Sequence, residues 1–282
     1  MLPFVGMLFD FTEPGVVKVD MPKYVEDAIS GLKSASPADT PAGLDLFAVN
    51  DSAELLGISA REDFHSRVAK LLYLAKRTRP DILLPINFLC TRVLKPTVQD
   101  WKKLMRVYRY LFGTKGLCIY LKADDDMCVK GYYDASYGVH SDMKSHTGAC
   151  TTLGKGAVFI TSSKQSIVAK SSTEAEMIAV SDHAGELIAQ NEFYIHQCGS
   201  NKPAILFQDN QSTIRLIKNG KSSSDRTKHI KIRFFWLKER VDLKDILVEY
   251  MPTEEMIADI LTKPLQGDLF IRLRKALMNL PN

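Results

Sequence analysis

The chain has 282 residues, of which 45% are hydrophobic and 25% charged, and its formal net charge is +4. This length allows one large or two modest cores. The composition excludes a disordered chain, and the small net charge singles out no partner. The opening Met1–Phe9 run lacks a basic segment and soon meets Asp10, so it reads as a strand and not a signal peptide. Residues 7–21 predict a hairpin, Met7–Thr12 and Val16–Met21 around the turn Glu13-Pro14-Gly15. A short helix over Tyr24–Leu32 precedes an exposed Ser34–Gly43 loop containing Pro37 and Pro41.

From about residue 54 to 114 the pattern is helical. Phe64, Val68, Leu71, Leu72 and Ala75 form one apolar face, and this helix stops at Arg79-Pro80. A second helix runs from Pro80 to about Val93, and Thr97 caps a third whose stripe is Trp101, Leu104, Met105, Tyr108 and Leu111. Strand signals follow at Met127–Tyr133, Gly148–Leu153 and Ala157–Thr161, then a long helix over Thr173–His196. Next come a buried strand at Ala204–Gln208, helices over Ser212–Lys218 and Thr227–Val241, a strand at Ile246–Tyr250 and a helix from Glu254. This order predicts an α/β domain with a mixed sheet over 123–282, behind a mainly helical region over 1–122.

No apolar run approaches the roughly 18–20 residues of a membrane span. Five scattered cysteines without a C-x-x-C pair fit a reducing compartment and argue against structural zinc. The expected location is therefore intracellular.

Four acidic motifs fall on these elements: Asp134 ends a strand, Glu176 follows a helix start, Asp209 ends the buried strand, and Asp259 lies one turn into the late helix. Taken singly, each has an ordinary structural reading: a turn, a helix start, an N-cap, an acid near a helix N-terminus. Carboxylates beside apolar residues are costly to bury together unless a cation neutralises them. A pair of divalent ions does so, and such pairs serve phosphodiester chemistry. Glu174 has its own explanation, because Ser171-Ser172-Thr173-Glu174 fits a capping box, so Glu176 is the better candidate.

Basic residues supply a second theme. Lys102, Arg106 and Arg109 share one helix face that suits a phosphate backbone, and a dense basic stretch between Asp209 and Asp259 includes Arg226 and Lys228. His229, Asn210 and Lys144 are further candidate contacts; His146, near a strand start, sits beside Thr147-Gly148, which suggests a tight bend. Asp124-Asp125-Asp126 reads as a solvated turn and not as polymerase acids.

The motifs Tyr-Asp-Ala-Ser (133–136), Lys-Ser-His-Thr-Gly (144–148), Ser-Ser-Lys-Gln-Ser (162–166), Lys-Ser-Ser-Thr-Glu-Ala-Glu (170–176), Asp-Asn-Gln-Ser (209–212), Arg-Thr-Lys-His-Ile (226–230) and Ala-Asp-Ile-Leu-Thr-Lys (258–263) together resemble the ribonuclease H domain of copia-type LTR retrotransposon Pol polyproteins. Upstream, residues 70–82 and 109–114 resemble the thumb and connecting region after the reverse-transcriptase palm. The resemblance implies a ribonuclease H-like five-stranded mixed sheet flanked by helices, preceded by the end of a palm and a smaller thumb-like region. It implies an endonuclease acting on the RNA strand of RNA/DNA hybrids, with two Mg²⁺ ions (Mn²⁺ as substitute) on Asp134, Glu176, Asp209 and Asp259. The partners it implies are a hybrid and the rest of a reverse transcriptase. It places the polymerase acids upstream of Met1, so no polymerase activity is expected. The 249–254 loop has no histidine where related enzymes carry one, and Tyr250 stands where copia-type relatives often have it. The competing expectation is an inactive retroelement remnant that binds nucleic acid or a partner protein.

Overall fold

The computed structural model describes all residues except 31–35, 51, 127, 200, 221–227 and 282, and for 228–231 it describes the backbone alone. The first part contains β1 (Leu2–Phe4), β2 (Met7–Asp10), β3 (Val16–Asp20), α1 (Pro22–Ile29) and α2 (Ile58–Arg77). A 3-10 turn at Pro80–Ile82 leads into α3 (Leu83–Cys90), followed by α4 (Val98–Gly113) and β4 (Ile119–Lys122). The predicted hairpin is β2–β3; β1 extends it on one side, and β4 joins it on the other to make an antiparallel four-stranded sheet. β4 has only four residues, too few for alternation to reveal it in the sequence. Thr97 caps α4 as expected: its Oγ1 accepts from the Asp100 N–H, and Asp100 Oδ2 accepts from the Thr97 N–H at 2.9 Å.

The second part runs β5 (Val129–Ser136), β6 (His146–Leu153), β7 (Ala157–Lys164), α5 (Ser172–Cys198), β8 (Ala204–Gln208), α6 (Gln211–Asn219), α7 (Lys228–Asp242), β9 (Ile246–Tyr250) and α8 (Gly267–Met278). Its sheet order is β7-β6-β5-β8-β9, with β5–β6–β7 antiparallel and β8 and β9 added parallel to β5. This is the ribonuclease H-like mixed sheet that the motifs imply. Two details differ from the sequence reading. Met127, the expected start of the first strand, lies outside the described residues. The helix expected from Glu254 is instead two 3-10 turns, Thr253–Glu255 and Ile257–Leu261, and α8 begins only at Gly267. Pro252 and Pro264 bracket the segment, and a proline cannot sit in a helix interior without losing a backbone bond.

Strand alternation gives this sheet two buried faces. Val129, Tyr133, Leu206 and Val248 pack on Met177 and Leu187 of α5 and on the α6–α7 pair. Tyr132, Cys150 and Ala157 point the other way, into a core shared with Leu83, Phe88 and Leu104 of the first part and with Leu261 and Phe270. The β6–β7 turn also meets β4 directly: Lys122 and Lys155 exchange backbone hydrogen bonds of 3.0 and 2.7 Å. Glycine is required there, since a Cβ on Gly154 would lie 2.3 Å from the Lys122 carbonyl oxygen.

One polar cluster lies within the shared core. The fully buried Arg79 donates to both oxygens of Asp81, at 3.0 and 2.8 Å, and to the Thr114 carbonyl at 2.9 Å. Tyr110 Oη donates to Asp81 at 2.6 Å and accepts from Arg274 of α8 at 2.9 Å. The α2–α3 junction, α4 and α8 are thereby joined through the Arg79–Asp81 ion pair and the Tyr110 hydroxyl that Arg274 reaches.

Candidate metal centre

The sheet itself assembles the acids. β5 and β8 are parallel, with Tyr132 opposite Phe207, so continuing that register by two residues sets Asp134 beside Asp209. Tyr133 and Ala135 face α5, and Asp134 therefore faces the 257–263 segment. Glu176 reaches the strand ends from the first turns of α5. One oxygen from each of Asp134, Glu176 and Asp209 lies within 4.8 Å of the others.

Neighbouring groups hold these carboxylates in place. Gln208 Nε2 donates to Glu176 Oε2 at 3.3 Å, and Thr253 Oγ1 donates to Asp209 Oδ2 at 2.9 Å. Thr262 Oγ1 donates to Asp134 Oδ2 in a short hydrogen bond, and Lys263 Nζ sits 3.4 Å from Asp134 Oδ1. Asp259, on the 257–261 turn, lies outside the group of three and is paired with Lys263 at 2.8 Å. Lys263 thus bridges Asp134 and Asp259.

Electrostatics follow from burial and crowding. Burial, followed by the charges of Asp134 and Asp209, pushes the Glu176 carboxyl well above its ordinary value. Burial also raises Asp209, with Asp134 adding to the effect and the Thr253 hydrogen bond opposing it. Asp259 is pushed up to about 7, chiefly by burial and then by Asp134, against the pull of Lys263. For Lys263, burial works against the charge, but the carboxylates of Asp134 and Asp259 together hold its pKa above lysine's ordinary value. An all-oxygen set under mutual repulsion fits a hard divalent cation such as Mg²⁺.

The remaining candidates fall in different places. Glu174 Oε2 accepts from the Lys170 N–H at 3.1 Å, and its own N–H donates to Ser171 Oγ at 3.2 Å, so it serves the start of α5. Asn210 Oδ1 caps α6 by accepting from the Ser212 and Thr213 N–H groups. Lys102, Arg106 and Arg109 line a groove of about 460 Å³ between α4 and residues 41–50. Within it Arg106 donates to Thr40 and Arg109 to Ser36, so both tether the preceding loop. Lys144 is half-buried in the β5–β6 connection. Arg226 lies outside the described residues; Lys228 and His229 open α7, where only the backbone is described. Sequence reasoning missed Thr262 and Lys263 as site residues. The Asp259/Lys263 spacing of i, i+4 was the available signal.

No family model matches the chain. Relatives do. A retrovirus-related Pol polyprotein from transposon TNT 1-94 of Nicotiana tabacum is 34% identical over 255 residues, which is 88% of this chain and 19% of that protein. An uncharacterized mitochondrial protein of Arabidopsis thaliana is 34% identical over 179 residues, covering 62% of this chain and 73% of that protein. The chain belongs to the Pol polyprotein family of copia-type retrotransposons. It spans about a fifth of the length of the tobacco Pol polyprotein. Among solved structures, a foamy viral protease-reverse transcriptase in complex with dsDNA covers 89% of this Pol chain and 45% of its own, at a TM-score of 0.53 and 10% identity. That likeness speaks to the fold. Among the described residues of the Pol chain, no helix is long and apolar enough to cross a membrane.

Proposed function

We propose that this Pol segment is a metal-dependent ribonuclease H that cuts the RNA strand of RNA/DNA hybrids internally. The observation that carries the reading is the convergence of Asp134, Glu176 and Asp209 from three elements, with oxygens within 4.8 Å of one another. Buried carboxylates brought this close repel each other, and a protein keeps such an arrangement where a cation is to be bound. The donor set suits Mg²⁺, with Mn²⁺ as substitute. Asp134 would be shared between two ions, with Glu176 and Asp209 on one side of it and Asp259 on the other. Bound there, the ions would supply the Lewis acidity that activates a water and stabilises the leaving 3′ oxygen.

The chain's own residues orient these ligands. Thr262 fixes Asp134, Gln208 fixes Glu176 and Thr253 fixes Asp209, so the carboxylates need little rearrangement to act together. Asp209 is only partly buried, which leaves one side of the cluster open to a substrate phosphate. Candidate contacts to the hybrid are Asn210, Lys144, Arg226, Lys228 and His229, with Lys102, Arg106 and Arg109 along α4. The dsDNA held by the foamy viral enzyme supports a nucleic-acid partner. The rest of a reverse transcriptase is the proposed protein partner.

Incubation of the purified chain with an end-labelled RNA/DNA hybrid and Mg²⁺ tests the reading. Internal RNA cuts that disappear with chelator and with Asp134→Asn are expected. Hybrid binding without cleavage would overturn the enzyme reading in favour of an inactive, nucleic-acid-binding remnant.

A further inference from the structure

The Lys-Ser-His-Thr-Gly motif at 144–148 takes no part in the acidic cluster, yet its polar residues are buried. His146 opens β6 and is buried together with His140 and Ser162. Their polar atoms form a chain: His140 Nε2 to His146 Nδ1 at 3.0 Å, His146 Nε2 to Ser162 Oγ at 2.7 Å, and Ser162 Oγ to the Leu261 carbonyl at 2.8 Å. The last bond sets every direction. A carbonyl oxygen only accepts, so the Ser162 proton points at Leu261. Ser162 must then accept from His146 Nε2–H, which leaves His146 Nδ1 to accept from His140 Nε2–H. Both rings are neutral, in keeping with burial, which lowers His140 to about 4 and His146 to about 3.

The two ends of this chain lie in different parts of the molecule. At one end, Phe47 packs edge-on against His140 at 5.0 Å and tilts over His146 at 5.5 Å, while Phe88 of α3 stacks on His140 at 6.2 Å. At the other end is the 257–261 turn, which carries Asp259 and leads directly into Thr262 and Lys263, both bonded to Asp134. β6 approaches that turn so closely that a Cβ on Gly148 would lie 2.7 Å from Thr262 Cγ2 and 2.9 Å from the Ala258 carbonyl oxygen. Gly148 therefore serves close approach within a strand, not the bend that its sequence context suggested.

We propose that the His140–His146–Ser162 chain is a positioning device, through which the packing of Phe47 and Phe88 fixes the turn that brings Asp259 to the metal centre. The proposal rests on the reading of the acids as a metal centre. It concerns Asp259 and the Thr262 and Lys263 contacts to Asp134, whereas the backbones of Asp134 and Glu176 are set by β5 and α5 and Asp209 directly follows β8. His140, His146 and Ser162 are positioning residues, since none of them touches a carboxylate of the cluster.

Two measurements on the full chain test it: amide hydrogen exchange over 257–263 and calorimetric titration with Mn²⁺. The Thr262 and Lys263 amides bond to the Asp259 carbonyl at 3.1 and 2.9 Å, so they report the turn directly. Ser162→Ala and His146→Leu should speed their exchange about tenfold or more. The same variants should weaken Mn²⁺ binding about tenfold. Ser162→Thr, which keeps the hydroxyl, should restore both readouts. Phe47→Ala, which leaves every residue of the hydrogen-bonded chain in place, should move the same amides in the same direction. Unchanged exchange in Ser162→Ala would overturn the proposal, as would faster exchange spread evenly over the sheet, or no response to Phe47→Ala. A wild-type chain that binds no Mn²⁺ would instead overturn the metal reading, while exchange would still decide whether Phe47 and the turn are coupled.

Discussion

Around Arg79 the buried carboxylate meets a guanidinium at two points, whereas around Asp134 the carboxylates outnumber the cations. In the first cluster a guanidinium and a carboxylate bond at two points, a tyrosine and a threonine take up the remaining capacity, and Arg274 closes the array from α8. In the second, Lys263 faces Asp134 and Asp259 while Glu176 and Asp209 crowd in beside them. A carboxylate paired with a cation makes a polar cluster a fastener between elements; an excess of carboxylates makes it receptive to an added cation. The same residue types thus yield architecture in one place and a candidate metal centre in the other.

The contrast breaks most sharply on substitution. Asp134→Asn or Asp209→Asn should lower hybrid cleavage by at least about a thousandfold while circular dichroism shows the fold retained. Asp81→Ala should do the reverse: Arg79 would be left buried without its partner, at a cost of about 3–5 kcal/mol in denaturant unfolding. Normal stability in Asp81→Ala would mean that the Arg79 cluster is no fastener.

Acidity separates the clusters next. Glu176, Asp209 and Asp259 have raised pKa values in the folded chain, the last about 7. Between roughly pH 4 and that value the folded state holds more protons than the unfolded one, so these groups make stability fall as pH rises. In chelator, Tm should therefore be higher near pH 5 than near pH 7.5, and Mg²⁺ should recover much of the difference at the higher pH. A Tm insensitive to both pH and Mg²⁺ would contradict the assigned crowding.

The finest comparison is between two glutamates on one helix. Glu176→Gln should abolish cleavage and raise stability in chelator by about 1 kcal/mol, since it removes a crowded charge. Glu174→Gln should keep most activity and lose about 1 kcal/mol through the start of α5. Equal inactivation by the two would undo their separation.

Much of the second sheet was legible in the sequence. Ala204–Gln208 is β8 as read, because a central parallel strand declares itself as a short apolar run, and Ile246–Tyr250 is β9, an edge strand that buries only Ile246 and Val248. Thr97 and Ser171 were legible as caps because capping is a local reaction between neighbours in sequence. The 253–265 segment was not: its apolar residues recur as they would in a helix, but its prolines allow only single 3-10 turns. Lys263 was missed at the site because its pairing with Asp134 spans 129 residues of sequence, leaving its i, i+4 spacing to Asp259 as the one local sign. Arg106 and Arg109 were read as part of a face for a phosphate backbone; their loop partners, more than sixty positions away, left no local trace in the sequence.

The fit of the β6–β7 turn onto β4 bears on how this protein can be divided. A fragment beginning at residue 123 would leave the Lys155 backbone without its partners on Lys122 and would strip Tyr132, Cys150 and Ala157 of their cover from the α3–α4 side. The acidic cluster lies in the second part, but one face of its sheet is covered from water by the first. Expression of the acidic half alone should yield a sticky, aggregation-prone product, and co-expression with residues 1–122 should rescue its solubility.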